Sequence, residues 1–407
     1  MDEKLADQTV RSDEKLADQT VRSDENAEFT FTEEQNDLRA AVRKFCADNF
    51  DDSTVRRLME SPVPFDAKVW NRLGAELGVL GLSVPEADGG VGGSLVDQAV
   101  AVEQFGATLA CGPLFGTVYL AIPALVASPG GPARDEVLAA LVEGTRTAAF
   151  AVADKAGAFD PAAVTVTAGG DTVTGTVERV VDGAAADEIL VAATGPEGIG
   201  LYAVDAKDVE RTPLMTLDPT RPQATVTFAD SPARLVAGPE EAGRVITHAL
   251  QVGSALLAIE QVGAAQHLLD LAVDYAKSRL QFGRQIGSFQ AIKHKLADML
   301  VDLEHARSAA YHAVWALTDG SDDPALAVSI AQATASAALS HIAADTIQVH
   351  GGIGFTWEHQ AHLYFKRAIT DAALLGTAEQ HRSRVADFVL DDASTEGGAW
   401  VADGRPA

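Results

Sequence analysis

Arg279 stands in the run Tyr275 to Met299, YAKSRLQFGRQIGSFQAIKHKLADM, followed by Phe282 and Gln290. A guanidinium in such a place offers phosphate oxygens a planar, permanently charged fork. Further on, Gln348 precedes Gly351 and Gly352 in QVHGGIGFTWEHQAHLYFKRA, Gln348 to Ala368. Glycines without Cβ let main-chain amides come close to a phosphate or a ring. Thr377 and Glu379 lie in LLGTAEQHR, Leu374 to Arg382, where the threonine also reads as the N-cap of a last helix. Glu260 is a lone carboxylate inside the apolar run LLAIEQVGAA. An apolar surround raises its pKa, which suits a general base or a structural group paired to a cation, and the pairing is the stronger expectation. Trp357 and the pair Lys366/Arg367 suit either a nucleotide's edge or surface packing. Histidines 294, 350, 359 and 362 match no common ligand spacing, so no metal is expected.

These residues need elements to hold them. From Phe29, FTEEQNDLRAAVRKFCADNF sets Leu38, Val42, Phe45 and Cys46 at helical spacing behind a Thr32/Glu33/Glu34 start. Further helices are predicted around Trp70 to Leu77, Val96 to Phe105 and Leu138 to Val142. Short β-branched runs from Phe150 to Leu235 (TVTGTVERVV, EILVAA, ATVTFA) then predict strands divided by Gly, Asp and Pro. After Gly238, four long Ala- and Leu-rich stretches predict helices: 243–279, 288–317, 324–350 and 378–390.

The expected fold class is α+β: an N-terminal all-α domain (29–146), a middle β-barrel or sandwich-like domain (147–238) and a C-terminal antiparallel four-helix bundle (239–391). A flexible tail (392–407) follows. Residues 2–12, DEKLADQTVRS, recur identically at 13–23, so 1–28 is expected to be a disordered leader or artefactual repeat rather than a folding unit.

Composition narrows the partners. The 407 residues carry 31 Lys and Arg against 58 Asp and Glu, a formal charge of −27, which repels nucleic acid and anionic lipid. Two cysteines, Cys46 and Cys111, in no metal or redox spacing, suit a reducing cytoplasm as buried thiols. No apolar stretch reads as long enough to span a bilayer, so no membrane is expected.

From Phe29 to Leu390 the order of parts and four segments resemble the acyl-CoA dehydrogenases. GVLGLSVPEADGGVGGS, Gly78 to Ser94, is similar to the family's Pro-Glu and Gly-rich turn; the others are the runs around Arg279, Gln348 and Thr377. The resemblance implies FAD as cofactor and α,β-dehydrogenation of an acyl-CoA thioester with hydride transfer to it. It implies a homo- or hetero-tetramer, electron-transfer flavoprotein as electron acceptor, and fatty acid or steroid side-chain degradation. In the family, Arg279, Phe282, Gln290, Gln348, Gly351 and Gly352 would face a neighbouring subunit's FAD. Thr377 would contact the flavin end and Glu379 would lie near the adenine.

The chain also departs from the pattern. The family's base, the Glu of Y-E-G-T, is Leu375 here, and the alternative base position on the first bundle helix, near Gly253, holds no carboxylate. The loops that grip the flavin ring read AVADKAGAFDP (Ala151 to Pro161) in place of T-E-P-x-A-G-S-D, and Val180, Val181 and Asp182 in place of W-I-T/S-N. Two readings follow, an enzyme with an unorthodox base such as Glu260, or a catalytically deficient supporting subunit of a mixed tetramer. A flavin-dependent monooxygenase or oxidase on the same fold, and a scaffold without flavin, stand as alternatives.

Overall fold

In the computed structural model, residues 30–395 are described apart from Ala156 and Ser321 and the side chains of 391–395. The N-terminal repeat and the tail from residue 396 lie outside the described residues. Thr32 caps α1 (Glu33–Asn49) through a reciprocal pair with Gln35, and Val42, Phe45 and Cys46 are buried on it at the predicted spacing. Two short helices follow, α2 (Asp52–Met59) and α3 (Ala67–Ala75), capped by Asp51 and Asp66. Ser94 and Asp97 then box the start of α4 (Leu95–Ala107). A π-helical turn over Phe115–Ala121 runs into α5 (Ile122–Ala127), and α6 (Pro132–Val142) completes this part. The π turn is buried at every position, so it carries no polar face for periodicity to find. Both thiols are buried, and burial pushes Cys46 and Cys111 up to about 12.

The middle part is one sheet of eight strands: β1 (Ala148–Ala151), β4 (Thr167–Gly169), β5 (Thr172–Val181), β6 (Glu188–Gly195), β7 (Gly198–Asp205), β8 (Glu210–Pro213), β9 (Gln223–Pro232) and β10 (Arg234–Ala237). A separate small hairpin joins β2 (Asp154–Lys155) to β3 (Ala158–Phe159). The order is β10-β7-β6-β4-β5-β9-β8, with β1 pairing in parallel on β6. Alternation along β6 decides the packing. Ile189, Val191 and Ala193 join Val173, Val226 and Phe228 in a core of the sheet's own, while Leu190 and Ala192 face the helices. The two halves of the sheet therefore share one interior. Strands β8 and β10 end the path, and no ladder joins them among the described residues.

The C-terminal part is helical. It comprises α7 (Pro239–Ser278), a hairpin of β11 (Leu280–Gln281) and β12 (Arg284–Gln285), α8 (Gln290–Asp319), α9 (Pro324–His350), α10 (Ala361–Asp371) and α11 (Ala378–Thr395). The sequence reading anticipated α7, α8, α9 and α11 and missed α10. At 40 residues α7 is about 60 Å long. It is seated on α4 where two glycines meet carbonyls: a Cβ on Gly106 would lie 2.0 Å from the Glu260 oxygen, and one on Gly263 1.9 Å from that of Glu103. Only glycine allows that approach.

One expectation is corrected. Two helices, Pro239–Ser278 and Pro324–Phe355, are long and apolar enough by length and composition to cross a membrane. The window in the first is 83% buried inside the protein and that in the second 61%, and packing against neighbouring helices accounts for their hydropathy.

Candidate functional site

The three longest helices bring one group of the sequence's candidates to a common end. Tyr275, one turn before Arg279, stacks on His350 with ring centroids 4.3 Å apart, joining the end of α7 to the end of α9. Lys295 of α8 binds Asp345 of α9 at 2.6 Å, which sets the start of α8 beside that same end. Arg279, Phe282, Gln290, Gln348, Gly351 and Gly352 all fall there, and all are exposed. Phe282 is 90% exposed at a positive φ of 53°, on the tip of the β11–β12 hairpin. Leu280, Phe355 and Trp357 are exposed beside these positions in sequence, at 64%, 77% and 62%.

Thr377 and Glu379 are held by other contacts. Gln380 donates its backbone N–H to the Thr377 hydroxyl at 3.3 Å and its side-chain oxygen accepts from the Thr377 N–H at 2.8 Å, the capping geometry anticipated for α11. Glu379 is exposed and lies 3.6 Å from Arg382. The turn before α11 carries Leu375, 7% exposed with φ at 53°. Its carbonyl accepts from Nε2 of buried His381 at 2.8 Å. A leucine side chain at this position offers no group that takes a proton.

Glu260 lies at the centre of a buried ion lattice. One carboxylate oxygen receives Nη1 of Arg367 at 2.5 Å and Nη2 of Arg221; the other receives the Tyr119 hydroxyl at 2.8 Å. Arg367 also donates Nε to Asp218 at 2.6 Å and Nη2 to the Thr220 carbonyl and hydroxyl. Burial pushes the Glu260 carboxyl up, but the guanidiniums of Arg221 and Arg367 and the tyrosine hydroxyl outweigh it and hold it below the usual range. The expected upward shift is thus reversed, because the apolar sequence around Glu260 says nothing of cations arriving from the β8–β9 loop and from α10. The geometry is that of the paired structural carboxylate. Arg367, which the sequence also allowed on a surface, is 3% exposed, and its neighbour Lys366 lies over the Trp357 ring at 4.4 Å. Tyr119, Asp218, Thr220, Arg221 and Asp371 were not singled out from sequence; the one available signal was Asp218-Pro219-Thr220-Arg221, charges bracketing a proline between strands.

The loops matched to the family's flavin-ring contacts are engaged within the chain. A Cβ on Gly157 would lie 2.4 Å from the Leu375 carbonyl oxygen, so the first loop abuts the turn before α11. Asp182, 4% exposed at a φ of 62°, accepts the Gly116 N–H at 2.8 Å and ties the second loop to the π turn. Val180 and Val181 beside it are buried.

The two ends of a dinucleotide therefore meet different fits. Arg279 has no ion pair among the described residues, and nothing lies within 4 Å of a Cβ on Gly351 or Gly352. A free guanidinium, two amides and open glycine backbone suit a diphosphate and adenosine approached from outside the chain. The chain's own ring-side loops instead touch its own turn and helix. Among the described residues no group of three or more His, Cys, Asp or Glu could hold a metal ion.

Comparison with known proteins covers most of the chain. Residues 32–145 match the family model described as "Acyl-CoA dehydrogenase, N-terminal domain" and residues 242–390 that described as "Acyl-CoA dehydrogenase, C-terminal domain". "Acyl-CoA dehydrogenase IpdE2" of Mycobacterium tuberculosis is 38% identical over 360 residues, covering 88% of this chain and 98% of the relative. A solved variant of the "Tcur3481-Tcur3483 steroid ACAD" is 30% identical with a TM-score of 0.79, covering 89% of this chain and 99% of that one. The "ChsE4-ChsE5 complex from Mycobacterium tuberculosis" is 27% identical at a TM-score of 0.79, covering 89% and 99%.

Proposed function

This chain belongs to the acyl-CoA dehydrogenase family of oxidoreductases, and from that premise we propose that it works as the supporting subunit of a mixed acyl-CoA dehydrogenase. It lends a cofactor-facing surface to a partner chain that carries the base. FAD, when bound, accepts the hydride removed from the β-carbon of the acyl-CoA thioester. Arg279 would neutralise the diphosphate, and Gln290, Gln348 and the backbone at Gly351 and Gly352 would orient the adenosine side. Phe282 would cover it from the hairpin tip.

The observation that carries the reading is Leu375. The turn that holds the family's carboxylate holds a buried leucine here, and Glu260 is taken up by two guanidiniums. Two of the similar structures are each named for a pair of proteins, one pair being a steroid ACAD, which supports a mixed tetramer acting on a bulky steroid side-chain thioester. Electron-transfer flavoprotein as the electron acceptor and a cytoplasmic location belong to the same reading.

The test is to purify the chain with and without the product of its neighbouring gene and count FAD per chain. Enoyl-CoA formation by the pair and none by the lone chain supports the reading. Full flavin occupancy and turnover by the lone chain defeats it.

A further inference from the structure

The ion lattice around Glu260 holds more negative than positive charge. Two guanidiniums, Arg221 and Arg367, face Asp218, Glu260 and Asp371, with Asp182 also within electrostatic reach of both. All six are nearly sealed from water: Asp371 is 0% exposed, Asp218 1% and Glu260 3%. A buried cluster with surplus carboxylates keeps a proton, because a second unpaired negative charge in the interior costs more than the protonation.

Hydrogen bonding decides which carboxyl keeps it. Glu260 is supplied by Tyr119, Arg221 and Arg367, and Asp218 by the Thr220 N–H and hydroxyl and by Arg367. Asp182 has the Gly116 N–H. Among the described residues Asp371 has no hydrogen-bond partner on either oxygen and only an ion contact with Arg221 at 3.4 Å. Its backbone carbonyl accepts the Leu374 N–H at 3.1 Å, so the group sits at the root of the turn that carries Leu375.

We propose that Asp371 retains a proton near neutral pH and that releasing it loosens α10 and the following turn from the β8–β9 loop and α7. The groups that face it are Arg221 and Asp218 from that loop, Glu260 from α7 and Arg367 from α10 itself. Burial pushes the Asp371 carboxyl up to about 7, against the pull of Arg221 and Arg367. Unfolded, an aspartate ionises near ~4. Between these values the folded chain holds a proton that the unfolded chain has given up. This group's contribution to stability therefore falls as pH rises from about 4 to about 7 and then levels.

The experiment uses the full chain labelled with 13C at the aspartate side-chain carboxyl. Burial also raises the Asp182 carboxyl, to about 6, so the protonated-carboxyl signal in infrared or NMR at about pH 7, lost as pH is raised further, is expected to be clearly smaller in Asp371→Asn than in the parent. Hydrogen exchange over residues 361–377, corrected for its intrinsic rate, should accelerate through the same range in the parent and stay flat in Asp371→Asn. Should that variant not fold, Asp182→Asn gives an independent reading, since its remaining protonated signal is expected to persist. No protonated carboxyl in Asp182→Asn, a signal at about pH 7 that is undiminished in Asp371→Asn, or equal acceleration in parent and variant overturns the proposal.

Discussion

Nη1 of Arg367 on α10 meets Oε1 of Glu260 on α7 at 2.5 Å, and both side chains are 4% exposed. This contact links the helix that precedes the last turn to the longest helix of the chain. Arg221, from the loop between β8 and β9, shares the same oxygen. Three regions separated in sequence are thereby fixed to one carboxylate, whose two oxygens are both taken up by hydrogen bonds.

Removing that carboxylate's charge should be costly. Glu260→Gln takes the shared carboxylate from two buried guanidiniums, leaving Arg367 with Asp218 and Arg221 with the more distant Asp371, and weakening such a lattice costs up to about 3–5 kcal/mol. Denaturant unfolding of the variant should show a loss on that scale; a change below about 1 kcal/mol, the range of exposed pairs, would mean that the lattice contributes little.

The α4–α7 crossing leaves no room at its glycines. Gly106→Ala drives a methyl group into the Glu260 carbonyl, 2.0 Å away. Forced separation of packed helices costs about 1–3 kcal/mol, so the melting temperature should drop. The same change at a helix glycine with open space around it, Gly243→Ala, should leave it unchanged or raise it slightly, because alanine suits a helix better than glycine. Equal melting temperatures for the two variants would mean that the crossing yields without cost.

Arg279 should act on cofactor and not on folding. Its side chain has no intrachain ion pair among the described residues, so Arg279→Ala should shift the chain's own unfolding by no more than about 0.5 kcal/mol. Loss of a charged hydrogen bond to phosphate, about 1.5–3 kcal/mol, should weaken FAD retention in the assembled particle roughly 10- to 100-fold. Equal FAD retention in parent and variant would remove the guanidinium from the cofactor's surroundings.

Acid should loosen the end of the helices where Tyr275, His350 and His359 meet. Burial, with His350 nearby, lowers His359 to about 4 from the usual histidine value. As pH falls below about 6.5 the unfolded chain takes up a proton that the folded chain refuses until about 4, so stability is lost over that window. His359→Phe should flatten the loss in a pH series of thermal unfolding; an unchanged slope would place the acid sensitivity elsewhere.

How much of this was legible differs by element. The Thr32/Glu33/Glu34 start, the spacing of Val42, Phe45 and Cys46, and the long Ala-rich helices are local signals, and they stand in the structure. The Leu375 substitution was equally plain. The ion lattice was not, because Tyr119, Arg221 and Arg367 lie between 39 and 141 residues from Glu260 along the chain. Periodicity reports one face of one element, whereas pairing of buried charges is settled by tertiary approach. The π turn at Phe115–Ala121 escaped for a related reason, since a segment buried all round has no contrast to read.

The most direct measurement is FAD content and acyl-CoA turnover of the purified chain, alone and with its partner. The account expects the lone chain to form no enoyl-CoA, Leu375→Glu alone to restore none, and the pair to be flavin-bearing and active. A lone chain with one FAD per protomer that dehydrogenates acyl-CoA would contradict it.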